Sequence, residues 1–424
     1  MIRRFCLYGF LKNQRYFEPF IILAFLEKGL TFLDIGLLIG FRELCILVLE
    51  IPSGAVADVF GRRRSMIFSF ISYIVSFVLF ALSSSMVPLM VAMFFFAVGD
   101  AFRTGTHKAM IFEWLRLENR LDERTRVYGF TRSWSKFGSA ISSLVAGALV
   151  MISGTFTVIF WLSVVPYVFN LVNFLGYPKS LEGDANAEVS WAEAYRLTGR
   201  ALRESVTRPR LRGLFLESMM LEGVFKVTGG YLQPVLKSLA LGLPLLAVGL
   251  APDQRSAMII GLVYFIYFLM MGFASQRAHQ WATRLGGEEQ LTRLMWVWNL
   301  LIFMFMGIVI MMGMKALVVV AFIALGMVQN TFRPAQISRF NKESSPEMGA
   351  TILSMESQSK SLAAAIMAPL LGWTVDKGVS GAETDVTGFW PVAALGAVLS
   401  AVVVVYRLMK GKSSIQDFPN PRQK

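Results

Sequence analysis

The stretch that decides the fold extends from Glu50 to Arg64 and reads EIPSGAVADVFGRRR. It lies between two apolar runs, with Gly61 and three arginines where the first run ends and the second begins. Gly61 permits a tight turn, because glycine adopts backbone conformations that other residues avoid. Consecutive arginines between two membrane-spanning helices remain on the cytoplasmic side. The stretch therefore predicts a short cytoplasmic turn that joins two such helices.

Similar apolar runs recur along the whole chain. Of the 424 residues, 55% are hydrophobic and 16% are charged, whereas a soluble domain carries about 25% charged residues. A run of roughly 18 to 25 apolar residues crosses a bilayer as a helix. We count twelve spans, at residues 5–27, 33–56, 65–83, 87–105, 129–152, 155–176, 211–236, 257–282, 292–313, 315–333, 349–372 and 389–407. The stretch from Leu239 to Ala251 is too short to cross comfortably, and we predict it as an interfacial or extended loop.

Basic residues alternate between the connections and set the predicted orientation. Arginines and lysines concentrate in the connections after spans 2, 4 and 6, whereas the connections near 83–85 and 153–157 carry no charge. The connection at 376–387 is net acidic. The positive-inside rule then places both termini in the cytoplasm of a multi-pass protein of the bacterial cell membrane. The net charge of +13 is thus a topology signal, and we expect no nucleic-acid partner.

The longest polar connection, residues 178–210, divides the chain into six spans and six spans. We predict an N-terminal six-helix bundle at 1–177, a cytoplasmic linker at 178–210, a C-terminal six-helix bundle at 211–410 and a cytoplasmic tail at 411–424. Within the linker, Trp191 to Val206 has the pattern of an amphipathic helix, either along the membrane face or solvated.

The two halves also repeat short sequences at nearly one interval. Ala101-Phe102-Arg103 in span 4 matches Thr331-Phe332-Arg333 in span 10, 230 residues later. The segment from Ser133 to Lys136 matches the one from Ser357 to Lys360, 224 residues later. Such internal duplication is typical of transporters whose halves move about a central site.

The stretch from Gly54 to Arg64 resembles the signature loop of the major facilitator superfamily, with a glycine, an aspartate four residues later, and then a glycine and basic residues. The preceding segment from Glu50 to Gly54 is similar to that of bacterial drug:proton antiporter-like members. The resemblance implies an all-α integral membrane fold of twelve transmembrane helices, arranged as two six-helix bundles around a central cavity.

The resemblance also implies a conformational latch at the cytoplasmic side. The residues of this gating loop, with a pair from span 4, are Gly54, Asp58, Gly61, Arg62, Arg63, Asp100 and Arg103. In the second half, the corresponding segment from His279 to Gly286 has Thr283 where the aspartate would be.

Ionisable residues inside the spans are the candidate substrate site, because a charge within the membrane is costly and is kept for function. With neighbouring polar residues, the candidates are Asn13, Arg15, Glu18, Arg42, Lys136, Glu222, Lys226, Gln329, Asn330 and Lys360. Arg15 and Glu18 are three residues apart, which predicts one face of a continuous span 1.

For two groups of residues inside the spans, alternative interpretations stay open. Arg42–Glu43 and Asp100–Arg103 are opposite charges at close spacing, so they could be internally neutralised ion pairs rather than substrate ligands. On span 8, Tyr264, Tyr267 and Phe268 could stack on a substrate, although such a stripe more often packs against other helices.

The pattern predicts a secondary active transporter for a small polar solute, anionic or zwitterionic, that arginine and lysine would hold. Proton coupling is predicted, with Glu18, Glu50 and Glu222 as candidate carriers. The alternatives are a multidrug efflux antiporter of the same fold and, less favoured, a non-transporting membrane receptor. The sequence lacks a phosphate-binding loop and HExxH or CxxC motifs, so we predict no enzyme, no cofactor and no metal site. The expected partners are the solute, protons and the lipid bilayer, and the expected state is a monomer.

Overall fold

The computed structural model describes the chain except for residues 105, 121–122, 183–195, 197–198, 201–202, 205–206, 244–248, 345–348, 380–384 and 417–424. Within the helices, the description also leaves out the side chains of residues 51, 54–55, 58–60, 124–125, 132–133, 136–137, 349–350 and 408–416. Most of the predicted linker helix, Trp191 to Val206, therefore lies outside the described residues.

The regular structure of the described residues is entirely helical, as predicted. The spans that form continuous helices are span 2 at Phe32–Phe60, span 3 at Arg62–Leu82, span 4 at Met86–Arg103, span 5 at Arg124–Ser153, span 6 at Val158–Leu175, span 8 at Pro252–Arg284, span 9 at Glu288–Met311, span 10 at Lys315–Glu343, span 11 at Gly349–Gly378 and span 12 at Trp390–Gln416. A further helix, Thr106–Leu117, follows span 4. We call the face that carries this helix and the span 2–3 turn the inner face, and the opposite one the outer face.

Seven helices in the described parts of the chain are long and apolar enough to cross a membrane, by length and composition. They comprise spans 3, 4, 6, 8, 9, 10 and 12. Spans 2, 5 and 11 are also continuous helices, whereas spans 1 and 7 are interrupted. Large apolar side chains such as Val48, Phe169 and Leu370 are exposed on the outside of the bundle, as expected of a surface that faces lipid.

Span 1 is broken, and the prediction of one continuous helix over residues 5–27 is wrong. It consists of the helices Ile2–Lys12 and Ile21–Glu27, separated by turns. Gln233 of span 7 satisfies the backbone at the break: its Nε2 donates to the Glu18 carbonyl at 2.9 Å, and its Oε1 accepts from the Ile22 amide at 2.8 Å. Irregular backbone at membrane depth is stable when buried protein groups bond to it in this way.

Span 7, the counterpart of span 1 in the second half, is also irregular. Between the helices Pro209–Ser218 and Val224–Thr228 lies a π-helical turn, Met219–Gly223, and a 3₁₀ turn precedes the last helix, Leu232–Leu241. The π-turn frequently marks a functional position in a helix. The last helix includes residues 239–241, which corrects their assignment to a loop, and span 8 begins at Pro252.

The two halves are in close contact toward the outer face. A Cβ atom added to Gly36 of span 2 would overlap with the Ala368 carbonyl oxygen of span 11, and one on Gly372 would overlap with the Phe32 oxygen. Asp376 accepts from the Phe32 and Leu33 amides at 2.9 and 2.7 Å, and so caps the beginning of span 2. These contacts hold spans 2 and 11 together across the interface between the halves.

Candidate functional site

A cavity of about 500 Å³ lies between the two halves. Its walls come from the break in span 1, from the irregular part of span 7, and from spans 2, 4, 8, 10 and 11. A pair of interrupted helices at corresponding positions of two repeated halves is a structural indication of a transport site. We call this space the central cavity.

Seven of the ten predicted substrate-site residues line the central cavity: Arg15, Glu18, Arg42, Glu222, Lys226, Gln329 and Lys360. Asn13 lies elsewhere, with its Nδ2 donating to the Gly9 carbonyl at 2.8 Å, and it lines a separate cavity toward the inner face. Asn330 is also absent from the walls, because its Nδ2 donates to the Gly326 carbonyl at 3.0 Å and contacts the Met271 sulfur at 3.1 Å. The side chain of Lys136 lies outside the described residues.

A buried carboxylate joins the two halves at the central cavity. Glu43 of span 2 is fully buried and accepts from Arg42 Nη2 at 2.7 Å and from Lys226 Nζ of span 7. Lys226 also contacts Ser361 Oγ at 3.4 Å. The predicted pairing of Arg42 with Glu43 is therefore present, and Lys226 adds a second cation from the other half. Glu43 itself was not among the predicted substrate ligands, and the sequence analysis considered it only as a possible ion-pair partner of Arg42.

A four-member network connects spans 7, 10 and 11. Glu222 accepts from Lys360 Nζ and Arg333 Nη1, each at 3.1 Å. Glu356, which is fully buried, contacts Arg333 Nη1 at 2.5 Å and Lys360 Nζ at 2.9 Å. Two carboxylates and two cations thus neutralise each other, as charges inside a membrane must. Glu222 and Lys360 are the members that line the central cavity.

Span 4 contributes a second paired group from the first half. Asp100 Oδ1 accepts from Arg103 Nη2 at 2.8 Å and from the Tyr73 hydroxyl at 2.5 Å, and Arg103 Nε contacts the same hydroxyl at 3.1 Å. Asp100 lines the central cavity, whereas Arg103 lines the separate cavity toward the inner face. The ion pair of Asp100 with Arg103 therefore lies between the central cavity and the separate cavity toward the inner face.

Arg15 and Glu18 lie in the non-helical break of span 1 rather than on a helix face, which corrects the predicted geometry. Their side chains still approach each other, with Arg15 Nη1 at 3.6 Å from Glu18 Oε2. Both are about one third exposed to the cavity space, at 33% and 38%. They are thus more accessible than Arg42 with Glu43 or Arg103 with Asp100, the other described ion pairs of the first half at this cavity.

Glu50 differs from the other buried carboxyl groups described here. Its Oε1 accepts from Ser354 Oγ of span 11 at 3.2 Å, and its buried Oε2 has no hydrogen-bond partner among the described residues. No described arginine or lysine lies within ion-pair distance of it. Glu50 therefore lies at the interface of spans 2 and 11, and its partner in the described part of the chain is neutral.

Aromatic rings form part of the cavity wall. Tyr264, Tyr267 and Phe268 of span 8 line the central cavity and contact one another, with ring centroids 5.6 to 5.9 Å apart. The stripe therefore packs internally and also presents surface to the cavity. Phe17 and Phe96 extend this apolar surface on the first half.

The turn after span 2 binds the end of span 6. Arg63 donates to the Phe174 and Leu175 carbonyls at 3.0 and 2.8 Å. A cation at the C-terminus of a helix stabilises that helix. Gly61 has a φ of +98°, and the Arg62 amide donates to the Glu182 carbonyl at 3.0 Å. Gly54 and Asp58 were also predicted in this gating loop, and the surroundings of Gly54 and the side chain of Asp58 are outside the description.

Among the residues that the structure describes, the lining charges of the central cavity balance. The cations are Arg15, Arg42, Lys226 and Lys360, and the carboxylates are Glu18, Glu43, Asp100 and Glu222. A site for a purely apolar solute would be lined mainly by apolar side chains, and not by eight charged ones. Within the described part of the chain, no group of three or more His, Cys, Asp or Glu side chains could hold a metal ion.

Comparison with known proteins identifies the class of this chain. A family model described as Major Facilitator Superfamily matches residues 13–368. The chain therefore belongs to the major facilitator superfamily, and it is a multi-pass membrane protein. The predicted all-helical membrane fold is confirmed.

Two curated relatives are similar over part of the chain. An uncharacterized MFS-type transporter, YxaM of Bacillus subtilis (strain 168), is 33% identical over 90 residues, which are 21% of this chain and 23% of the relative. An uncharacterized transporter of Buchnera aphidicola subsp. Schizaphis graminum (strain Sg) is 27% identical over 182 residues, 42% of this chain and 44% of the relative. The matches span less than half the length of these relatives.

Solved structures share the fold across nearly the whole chain. A mutant of the nucleoside transporter NupG gives a TM-score of 0.77 at 16% identity, with 95% of this chain and 99% of that chain covered. A bacterial homolog of the human lysosomal transporter Spinster, inward-facing and occupied, gives 0.69 at 13% identity, with 99% and 98% covered. A POT family transporter in complex with 5-aminolevulinic acid gives 0.68 at 13% identity, with 96% and 95% covered. These likenesses establish the fold alone.

Proposed function

We propose that the chain moves a small zwitterionic solute across the cytoplasmic membrane by alternating access, coupled to protons. One observation carries this proposal: the described lining of the central cavity has four cations and four carboxylates, and each half contributes charges of both signs. A simple anion would find as many repelling carboxylates as attracting cations. A solute with one positive and one negative group can pair with both.

The two inter-helix networks supply the two ends of such a solute site. On one side Lys226 is held by Glu43, and on the other Lys360 is held by Glu222 and Glu356. A solute carboxylate entering the cavity would share these cations, and a solute ammonium would share Glu18 or Glu222. Because the lining charges are already paired, solute binding exchanges ion pairs and does not have to neutralise a bare charge.

The pair between Glu43 and Lys226 also bears on alternating access. Glu43 belongs to the first half and Lys226 to the second, so movement of one half against the other changes this contact directly. A solute that competes for Lys226 lowers the free energy needed to break the contact. Solute binding is thereby linked to the conformational change.

Among the predicted proton carriers, the geometry favours Glu50 over Glu18 and Glu222. Glu18 and Glu222 have cation partners, whereas the described partner of Glu50 is the neutral hydroxyl of Ser354. With a proton, Glu50 is neutral at the contact between spans 2 and 11. Without it, an unpaired charge lies at that contact and favours separation of the halves at the inner face.

A multidrug antiporter of the same fold is the second candidate. The aromatic surface of Tyr264, Tyr267 and Phe268 favours it, because stacking on flat apolar molecules needs little else. The resemblance of the segment from Glu50 to Gly54 to drug:proton antiporter-like members points the same way. The eight lining charges weigh against it, since desolvating them for a greasy solute is costly.

A thermal-shift screen of the purified protein tests the proposal. Zwitterionic metabolites are expected to raise the melting temperature, because a ligand that binds only the folded state stabilises it. The same compounds are expected to have no effect on Arg15→Ala, which removes an accessible cation of the cavity. A response confined to lipophilic cations would instead support the multidrug reading and reject a zwitterionic solute.

A further inference from the structure

A second cavity, of about 380 Å³, lies in the first half toward the inner face. We call it the inner cavity. Three helix faces form it: residues 5, 8, 9 and 12 of span 1, the end of span 4 with the start of the following helix, and residues 128, 131, 135 and 139 of span 5. These spacings each describe one side of a helix, so the cavity is a regular feature of the packing. The proposed transport function does not use it.

The charge of the inner cavity has one sign. Lys12, Arg103 and Lys108 line it, and no carboxylate does so among the residues that the structure describes. The carboxylate that pairs with Arg103 is Asp100, which faces the central cavity instead. A concave space lined by charges of one sign concentrates counter-ions. The central cavity, where the signs balance, is electrostatically different.

Two of the remaining lining groups can bond to an oxyanion. The Ser135 hydroxyl lines the cavity, whereas the hydroxyls of Thr104 and Thr131 donate to the Asp100 and Tyr128 carbonyls at 2.8 and 2.9 Å. His107 contributes a ring nitrogen, Nε2, that is buried and has no hydrogen-bond partner among the described residues. A buried nitrogen without a partner is costly to the fold, so a ligand atom that bonds to it would be stabilising.

Aromatic rings fix the positions of two of these groups. The His107 ring lies on the Tyr8 ring with centroids 3.8 Å apart and meets the edge of Phe5 at 5.5 Å. Lys108 Nζ lies 5.6 Å from the centroid of the Tyr128 ring. Rings that restrain a donor before the ligand arrives reduce the entropy cost of binding.

We propose that the inner cavity binds a phosphate-bearing anion, either a free phosphate compound or the headgroup of an anionic lipid. Three cations, together with the Ser135 hydroxyl and the His107 ring nitrogen, match the charge and the oxygens of a phosphate group. A carboxylate would leave most of these donors unused. The two sources share the same chemistry, and the experiment separates them.

The test measures the melting temperature of the purified protein in detergent at constant ionic strength, with inorganic phosphate replacing chloride. Phosphate is expected to raise it, and Lys12→Gln and Lys108→Gln are each expected to weaken the apparent affinity about tenfold. Lys179→Gln, which removes an exposed lysine outside the cavity, is the matched control and is expected to respond as the unaltered protein does. The lipid source is tested with the same variants in nanodiscs of phosphatidylglycerol against phosphatidylcholine.

A variant that leaves every charge of the inner cavity in place provides a second test, in case the lysine variants fail to fold. Thr104 is exposed at the mouth of the inner cavity, so Thr104→Trp is expected to occupy the space and abolish the response without changing the charge. A response to either phosphate or phosphatidylglycerol that depends on Lys12 and Lys108 supports the proposal and identifies the source. The proposal is overturned if the response to phosphate and the response to phosphatidylglycerol are each the same in Lys12→Gln and Lys108→Gln as in the control Lys179→Gln.

Discussion

Replacing Lys360 by methionine is expected to reduce solute exchange by about a hundredfold or more, or about 2.7 kcal/mol. Lys360 is the cavity-lining cation that bonds to both Glu222 and Glu356. Without it, two carboxylates at membrane depth share Arg333 alone, and the solute loses a cationic partner. Exchange of labelled solute in proteoliposomes measures the effect.

Two further variants make this result interpretable. Lys315→Met removes a lysine at the outer end of span 10 that donates to the Ser238 carbonyl at 3.2 Å, and it is expected to retain exchange. The double variant Glu356→Gln with Lys360→Met restores the balance of charge, so its melting temperature should recover while exchange stays low. Full exchange by Lys360→Met would show that this network does not hold the solute.

Glu50→Gln is expected to abolish acceleration of transport by a pH gradient while leaving exchange at equal pH intact. Glutamine keeps an oxygen for the Ser354 hydroxyl but cannot release a proton, so the interface between spans 2 and 11 no longer responds to pH. Uptake with and without an imposed gradient measures the difference. Glu118→Gln, at an exposed position in the turn that follows the helix Thr106–Leu117, is the control and should keep the acceleration.

If Glu50→Gln remains accelerated by the gradient, another group carries the proton. Glu222 and Glu18, the other two carboxyl groups predicted from the sequence, would then be tested in the same way. Loss of both exchange and acceleration would point to a structural role for Glu50 at the contact with span 11.

Much of the fold was predictable from the sequence because its causes are local. Apolar runs of sufficient length, charge alternation in the connections, and the turn at Gly61 each depend on neighbouring residues only. The same local reasoning placed Lys226 and Lys360 within spans, and both line the central cavity. Their partners in the structure, Glu43 and Glu222, were visible as intramembrane acids but not as partners.

The interruption of span 1 was not predictable in the same way. Its stability depends on Gln233, which bonds to the backbone of Glu18 and Ile22 from more than 200 residues away. The helical spacing of Arg15 and Glu18 suggested one face of a helix, but this segment is not helical. Likewise Asn13 and Asn330 bond to their own helices, at Gly9 and Gly326, and no spacing rule distinguishes such a side chain from one that faces a cavity.

Counterflow in proteoliposomes is the most direct test of the central claim that both signs of charge in the central cavity bind a zwitterion. Vesicles loaded with an unlabelled zwitterionic metabolite are expected to accumulate the labelled compound, and Lys360→Met vesicles are expected not to. Simple organic anions and lipophilic cations should give little counterflow. Counterflow of lipophilic cations alone, or of none of the three classes, would contradict the claim.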